Sequence, residues 1–476
     1  MPSSYGRVSV LPARVPPPCT HALALVCYCF PWMIRIANGQ GFWGDWSEAP
    51  VRLVEDGPID YLTLDYLAEV TMSILRKQRS ANSAAGYARD FPPLIGRLAK
   101  RLRSRGVRVI ANAGGVNPQA CAAEVRRLAP ELMVAIVHGD DISDRIDDLL
   151  QRGQELRNMD TGEPLAGIRD KLLSANAYIG AFPLAEALAT GADVVITGRC
   201  SDAALALAPM VHQFGWGVDD LHLLAAGTAA GHVVECGAQC TGGNCQADWQ
   251  SIPDLADIGY PIIEAEPDGV MTITKHRGTG GRVDSRSVRE QIVYEIGDPT
   301  AYMTPDCVAD FTSIQLRDEG RDRVRLTGVR GKPAPEMLKV SIAYAWGWKA
   351  VGSLVFSAPD ALDKARAADA IVRRRLADAK LEFESIHTEY LGYNACHGDV
   401  AVKASDIPEV QLRIGVRARD HAPVERFTRE LIPLVLSGPP TATGYGEGRP
   451  AVREIVAFWP ALIPRDEVKV RVEVVS

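Results

Sequence analysis

Along the first half of the chain, short and largely apolar runs alternate with longer stretches in which apolar residues recur every three or four positions. The runs lie at 34–37, 59–64, 107–110, 132–137, 176–179 and 194–196, and each gives way to glycine or polar side chains. A run such as Val194-Val195-Ile196, apolar at every position, suits a strand buried on both faces. At least six such strand–helix units between 33 and 215 predict a mainly parallel, doubly wound α/β sheet with helices on both faces. An eight-stranded barrel is the alternative arrangement of the same pattern.

After Trp216 the pattern changes. Segments 260–265, 269–274, 323–329, 338–345 and 350–356 read as antiparallel strands joined by charged or Gly/Pro turns. Helical patterns at 358–381 and 422–436 interrupt them, the second after a strand at 410–416. The expected organisation is therefore a parallel α/β domain over 33–215 and an α+β domain over 216–476 packed on it. Residues 1–32 stand apart, with Pro12, Pro16, Pro17 and Pro18 followed by an apolar run too short to span a bilayer. They read as a disordered leader or an upstream start codon.

Composition narrows the class. With 47% hydrophobic and 23% charged residues in 476, the chain can bury large cores. A net charge of −7 without a basic stripe argues against a nucleic-acid partner, and no other segment has the length and apolarity of a membrane span. Ten irregularly spaced cysteines read as reduced thiols of a cytoplasmic protein.

The candidate chemistry collects where strands end, the edge at which parallel sheets gather ligands. Asp65 and Glu69 follow the second strand, Asn112 the third, Asp140 and Asp141 the fourth, and Arg199 and Asp202 the run at 194–196. Asn112 is a substrate-binding candidate and the charged residues are acid/base or anion-holding candidates. For Asp140 and Asp141 the competing readings are helix capping and oxygen ligation of a hard divalent cation, and a structural ion pair competes for Arg199 and Asp202. Asn117-Pro118 suits a helix start. Gly39-x-Gly41-x-x-Gly44 has dinucleotide spacing, but Phe42, Trp43 and Asp45 are bulky or negative where a pyrophosphate would lie, so a tight turn is expected.

In the second half, Lys275, His276, Gly278, Thr279, Gly280, Gly281 and Arg282 combine cations with a flexible turn that can aim backbone N–H groups at a CoA phosphate or carboxylate. A helix over 285–296 offers its N-terminus to the same anion. Cys240, ahead of Thr241-Gly242-Gly243-Asn244, is a candidate nucleophile beside a donor loop, with a packed thiol as the competing reading. His232, Cys236, Cys240 and Cys245 are separated by three, three and four residues, which are not zinc-knuckle spacings, so no metal is expected. No Gly-x-Ser-x-Gly elbow occurs.

The order of motifs is itself informative. Asp65-Tyr66-Leu67-Ala68-Glu69, Gly139-Asp140-Asp141, Ala175-Asn176-Ala177-Tyr178, Val195-Ile196-Thr197-Gly198-Arg199, Cys240-Thr241-Gly242-Gly243-Asn244, Lys275-His276-Arg277-Gly278-Thr279-Gly280-Gly281, Tyr294-Glu295-Ile296-Gly297-Asp298-Pro299 and Ser437-Gly438-Pro439-Pro440 follow one another in the chain. In these motifs residues 33–475 resemble the acyclic terpene utilisation family AtuA. The resemblance implies a role in bacterial breakdown of citronellol and geraniol, beside acyl-CoA carboxylation, on a branched hydroxyacyl-CoA. It also implies a ferredoxin-like domain supplied, where needed, as a separate subunit. Cys200-Ser201-Asp202 stands where the family pattern suggests Val-Ala-Asp.

Together these readings predict a catabolic enzyme, a lyase or hydratase, acting on a branched acyl-CoA or hydroxy acid, with a homo-oligomer as a further expectation. Asp65, Glu69, Asp140 and Asp202 are its acid/base candidates, and Arg199 with Lys275 would hold the substrate anion. The alternative is a non-catalytic subunit that binds acyl-CoA or docks a carboxylase.

Overall fold

The computed structural model describes residues 33–475 apart from 247, 402–406, 445 and 447, so the expected leader at 1–32 lies outside the described residues. The strands β1 (Ile34–Asn38), β2 (Tyr61–Leu64), β3 (Arg108–Ala111), β4 (Val134–His138), β5 (Leu172–Ala177) and β6 (Val194–Thr197) come from the first half. Five of them, in the order β1-β2-β3-β6-β4, pair in parallel.

Alternation along these strands serves two cores. Val109, Ala111, Val134, Ile136, Val194 and Ile196 face one, with helices α1 (Ala49–Asp56), α2 (Glu69–Ala81), α3 (Phe91–Arg105) and α4 (Pro118–Leu128). Ile110, Ala135, Val137 and Val195 face the other, with α5 (Ile146–Gln151), α6 (Ala181–Ala189), α7 (Ala204–Phe214) and α8 (Leu221–Glu235). The change of face follows from the strand order. The chain advances from β1 to β4 and then returns to place β6 between β3 and β4, so a right-handed crossover puts α6 on the opposite side. Asn117 caps α4 by accepting the Ala120 N–H at 3.3 Å, with Pro118 at the first helical position.

The sheet does not stop at residue 215. The later strands are β7 (Pro261–Ala265), β8 (Met271–Lys275), β9 (Tyr302–Met303), β10 (Val308–Asp310), β11 (Gln315–Asp318), β12 (Arg323–Thr327), β13 (Arg330–Lys332), β14 (Met337–Ser357), β15 (Ser385–Leu391), β16 (Glu409–Ala418), β17 (Arg453–Pro464) and β18 (Arg471–Val475). Of these, β7 pairs antiparallel with β1, and β8, β12 and β11 extend that edge, while β18 pairs antiparallel with β4 at the other. Strands from both sides of the expected 215/216 boundary thus share one ten-stranded mixed sheet. Its ends remain apart, so among the described residues there is no closed barrel.

A second correction concerns β5, the expected strand near 176–179. It leaves the parallel sheet and pairs antiparallel with β14, in a sheet that also holds β15, β16 and β17. The 21-residue β14 is long enough to join β5 and β17 with one half and β16 with the other, bending at Gly347. There φ is +128° and a side chain would press on the Ala418 carbonyl, so glycine is required. Helix α9 (Ser285–Val293) stays with the main body, and a third core lies between the far half of this sheet and α10 (Ala361–Asp378) and α11 (His421–Phe427), which cover Ala350, Leu354 and Phe356.

Candidate active site at the strand carboxyl ends

The residues just beyond β2, β3, β4 and β6 converge on Arg199, whose side chain is 3% exposed. Its Nη1 donates to the Leu67 carbonyl at 2.9 Å and to Asp202 Oδ1 at 2.6 Å, and its Nη2 lies 3.0 Å from the Tyr178 hydroxyl. The guanidinium carbon stands 4.2 Å from the Tyr178 ring centre. Burial opposes the guanidinium charge, but Asp202 first, then Tyr178, Asp65 and Glu69 hold it firmly protonated. Asp202 is the accessible end of this pair, with its side chain 37% exposed.

Asp65 is buried beside them. Asn112 Nδ2 donates to its Oδ1 at 2.7 Å and the Leu67 N–H at 3.1 Å, while Asn112 Oδ1 accepts the Tyr66 N–H. These contacts do not offset its position: burial, reinforced by the negative charge of Asp202, pushes the Asp65 carboxyl up to about 8 against the pull of Arg199. Only Asp202 is ion-paired with Arg199, and the buried Asp65, which feels the guanidinium without contacting it, keeps its proton near neutrality.

Glu69 opens the first turn of α2 and accepts the Tyr178 hydroxyl at 2.7 Å. Burial raises its pKa, but the Tyr178 hydrogen bond and Arg199 outweigh that and leave it below the ordinary value. Lys339 of β14 completes the mouth: its Nζ is 3.6 Å from Glu69 Oε1 and lies over the Tyr178 and Phe458 rings.

Asp140 is held from behind. Its Oδ2 accepts the Arg199 N–H at 2.8 Å and Asn176 Nδ2 at 2.9 Å, and burial raises its pKa to about 7. Gly198 makes this approach possible, because a Cβ there would stand 2.4 Å from Asp140 Oδ1. Asp140 therefore positions the Arg199 loop. Asp141 turns away to Arg76 of α2 at 3.2 Å and accepts the Ser143 N–H.

The Lys275 loop is built differently. Lys275 Nζ donates to the Thr279 carbonyl at 2.9 Å and pairs with Asp322 at 3.3 Å, so its charge is already met. The backbone N–H groups of Gly280, Gly281 and Arg282 donate to the carbonyls of Asp257, Pro253 and Thr241, so these three amides already have partners within the fold. His276 is buried against Gly57, and its Nε2 lies 3.1 Å from the Leu53 carbonyl; burial lowers its pKa. Thr279 bonds back to the His276 carbonyl, Gly278 turns at φ +83°, and Arg282 sits 2.9 Å from Asp284. That same Asp284 caps α9, which occupies the helix N-terminus expected to face an anion. Cys240 is wholly buried among apolar neighbours, and burial pushes its thiol up, so it packs rather than attacks. Among the described residues no three His, Cys, Asp or Glu side chains form a metal-binding group.

The arrangement brings Asp65, Glu69, Asn112, Asp140, Arg199 and Asp202 together and leaves Asp141, Cys240 and the Lys275 loop with structural partners. Sequence reasoning missed Tyr178 and Asn176 as functional groups, although both stand in a quoted motif, and gave no sign of Lys339. What the fold and these residues define is a mixed α/β protein with an arginine–carboxyl site at the carboxyl edge of its parallel strands. The chain belongs to the acyclic terpene utilisation family AtuA, whose model matches residues 34–474. It is thereby a protein of acyclic terpene utilisation. No curated protein and no solved structure matches it. No described helix is long and apolar enough to cross a membrane.

Proposed function

We propose that the protein is an acid/base lyase of the hydratase type that removes water from, or adds it to, a branched hydroxy acid carried as a CoA thioester. The observation that supports this is the pair of carboxyls beside Arg199: Asp202 is ion-paired and accessible, and Asp65 is buried and keeps its proton near neutrality. A buried carboxyl that keeps its proton beside an accessible, ion-paired one suits an acid and a base in one reaction. In the dehydration direction Asp202 takes the proton from the carbon next to the thioester carbonyl. The carbon–oxygen bond breaks, a carbon–carbon double bond forms, and the hydroxyl leaves as water with the proton of Asp65. Arg199 orients Asp202, and Lys339 at the mouth suits the anionic end of the substrate.

The test is to incubate the full chain with a branched 3-hydroxyacyl-CoA and with the matching 2-enoyl-CoA, following the conjugated thioester by its ultraviolet absorbance. Interconversion abolished by Asp202→Asn supports the reading. Tight binding with no turnover in either direction replaces it with the non-catalytic acyl-CoA-binding subunit, and absence of binding removes both.

A further inference from the structure

We infer that Glu235 is the group that recognises the substrate hydroxyl and that His232 is its positioning residue; this rests on the acid/base reading above and names the polar feature of the substrate that the site selects. Glu235 is the last residue of α8. Asn38, at the carboxyl end of β1, donates from Nδ2 to the Val234 and Glu235 carbonyls at 2.7 and 2.9 Å, pinning the helix end to the sheet edge that also carries Asp65. The approach is so close that a Cβ on Gly41 would stand 2.8 Å from the Cys236 carbonyl carbon.

The side chain is as firmly placed as the backbone. His232 is 2% exposed, its Nδ1 lies 2.9 Å from Glu235 Oε1, and its ring packs against Tyr302 and Phe311 at 5.1 and 5.7 Å between centres. The Tyr302 hydroxyl stands 3.5 Å from the same Nδ1. All of this fixes Oε1 and leaves Glu235 Oε2 buried with no hydrogen-bond partner among the described residues. A buried oxygen in that condition is disfavoured unless a ligand group meets it.

The surroundings decide which group. The charge of Asp202 reaches Glu235 from the loop before α7 and that of Glu295 from the segment after α9, and His232, Cys236, Tyr294 and Tyr302 are further titratable groups nearby. Burial first, then the charges of Asp202 and Glu295, resist ionisation of Glu235, and His232 opposes them. A second carboxylate or a phosphate would be repelled here. A neutral hydroxyl fits, because it can donate to Oε2 and offer its lone pair to the Asp65 proton. The charge of Asp202 acts on both Asp65 and Glu235, which puts the two carboxyls in one electrostatic neighbourhood.

The test is calorimetry of the full chain with 3-hydroxy-3-methylbutanoyl-CoA and its deoxy analogue, 3-methylbutanoyl-CoA. A hydrogen bond that replaces one to water predicts that the hydroxy compound binds about twofold to tenfold more tightly. In Glu235→Ala the ratio falls to near one while the deoxy compound binds as before, which a misfolded variant cannot reproduce. His232→Leu lowers the ratio, and His232→Gln, which still donates to Oε1, restores it. Equal affinity of the wild type for the two compounds, with turnover intact, overturns the hydroxyl assignment and leaves the acid/base reading standing. Binding of neither compound overturns both.

Discussion

The strand-end cluster and the Lys275 loop carry the same ingredients, a buried cation, nearby acids and glycines, yet the fold uses them in opposite ways. In the loop the named donors are answered from within: Lys275 by Asp322 and Thr279, and the Gly280, Gly281 and Arg282 amides by three carbonyls. At the cluster Arg199 is ion-paired with Asp202, and the buried Asp65 beside them is left without a cation of its own and keeps a proton. Residue types alone do not separate a site from a brace. The surplus does: a brace ends with its charges matched, and a site holds a group whose state is set against its ordinary chemistry.

The comparison breaks most readily at Gly280. Its backbone does not require a positive φ; what it requires is room, since a Cβ would stand 2.0 Å from the Asp254 carbonyl oxygen. Gly280→Val must push two backbone segments apart, and the expected result is a loss of about 5 kcal/mol or more, seen as insoluble protein or a collapsed thermal transition. A variant that melts like the wild type would show that the loop is not the rigid brace described.

At the cluster, Asp65→Asn should cost activity and spare the fold. The amide keeps the contacts to Asn112 and Leu67 in shape but cannot give up a proton, so kcat is expected to fall by about 10²–10⁴. Stability should move with pH in a defined sense. The folded Asp65 pKa of about 8 lies above its unfolded value, so between the two the native state holds a proton that the unfolded chain has released. Wild-type stability therefore declines as pH rises from about 4 to about 8, by up to about 1.4 kcal/mol per unit for this group. Asp65→Asn removes that contribution, and denaturant titrations across the range should give a flatter curve. An unchanged slope would remove Asp65 from its role as the protonated acid.

Lys275→Ala tests the brace from its charged side. It leaves Asp322 without its buried partner, and breaking such a pair predicts a loss of about 3 kcal/mol, with affinity for a CoA thioester unchanged. Weaker CoA binding without loss of melting temperature would return the loop to the anion-binding reading.

Much of the fold was legible because it is local. The alternation that sends Val109 to one core and Ile110 to the other is present in four consecutive residues, and the strand-end acids follow directly from it. What was not legible depends on distant partners. Nothing near Lys275 announces Asp322, and nothing near residue 176 announces that β5 pairs with β14 instead of the parallel sheet. The sequence presents His232 only with cysteines whose spacings do not suit zinc and does not single out Glu235; it is Asn38, distant in the chain, that fixes the end of α8 at the sheet edge. Strand pairing between β1 and β7 likewise crosses the boundary expected at 215 and joins residues far apart in the chain.

Lys339 gives the finest test, because it is the counterpart of Lys275 that still has charge to offer. Its side chain is 42% exposed, its only carboxylate neighbour among the described residues is Glu69 at 3.6 Å, and two aromatic rings hold the ammonium at the mouth. Exposed ion pairs contribute about 0–1 kcal/mol to stability, so Lys339→Ala should leave the melting temperature almost unchanged. Affinity for a CoA thioester should fall by about tenfold, equivalent to about 1.4 kcal/mol. Because the contact is open to solvent, the difference between wild type and variant should shrink as salt is raised. A loss that is independent of salt would assign Lys339 a packing role on Tyr178 and Phe458 instead, and no loss at all would leave the anionic end of the substrate without a partner at this edge.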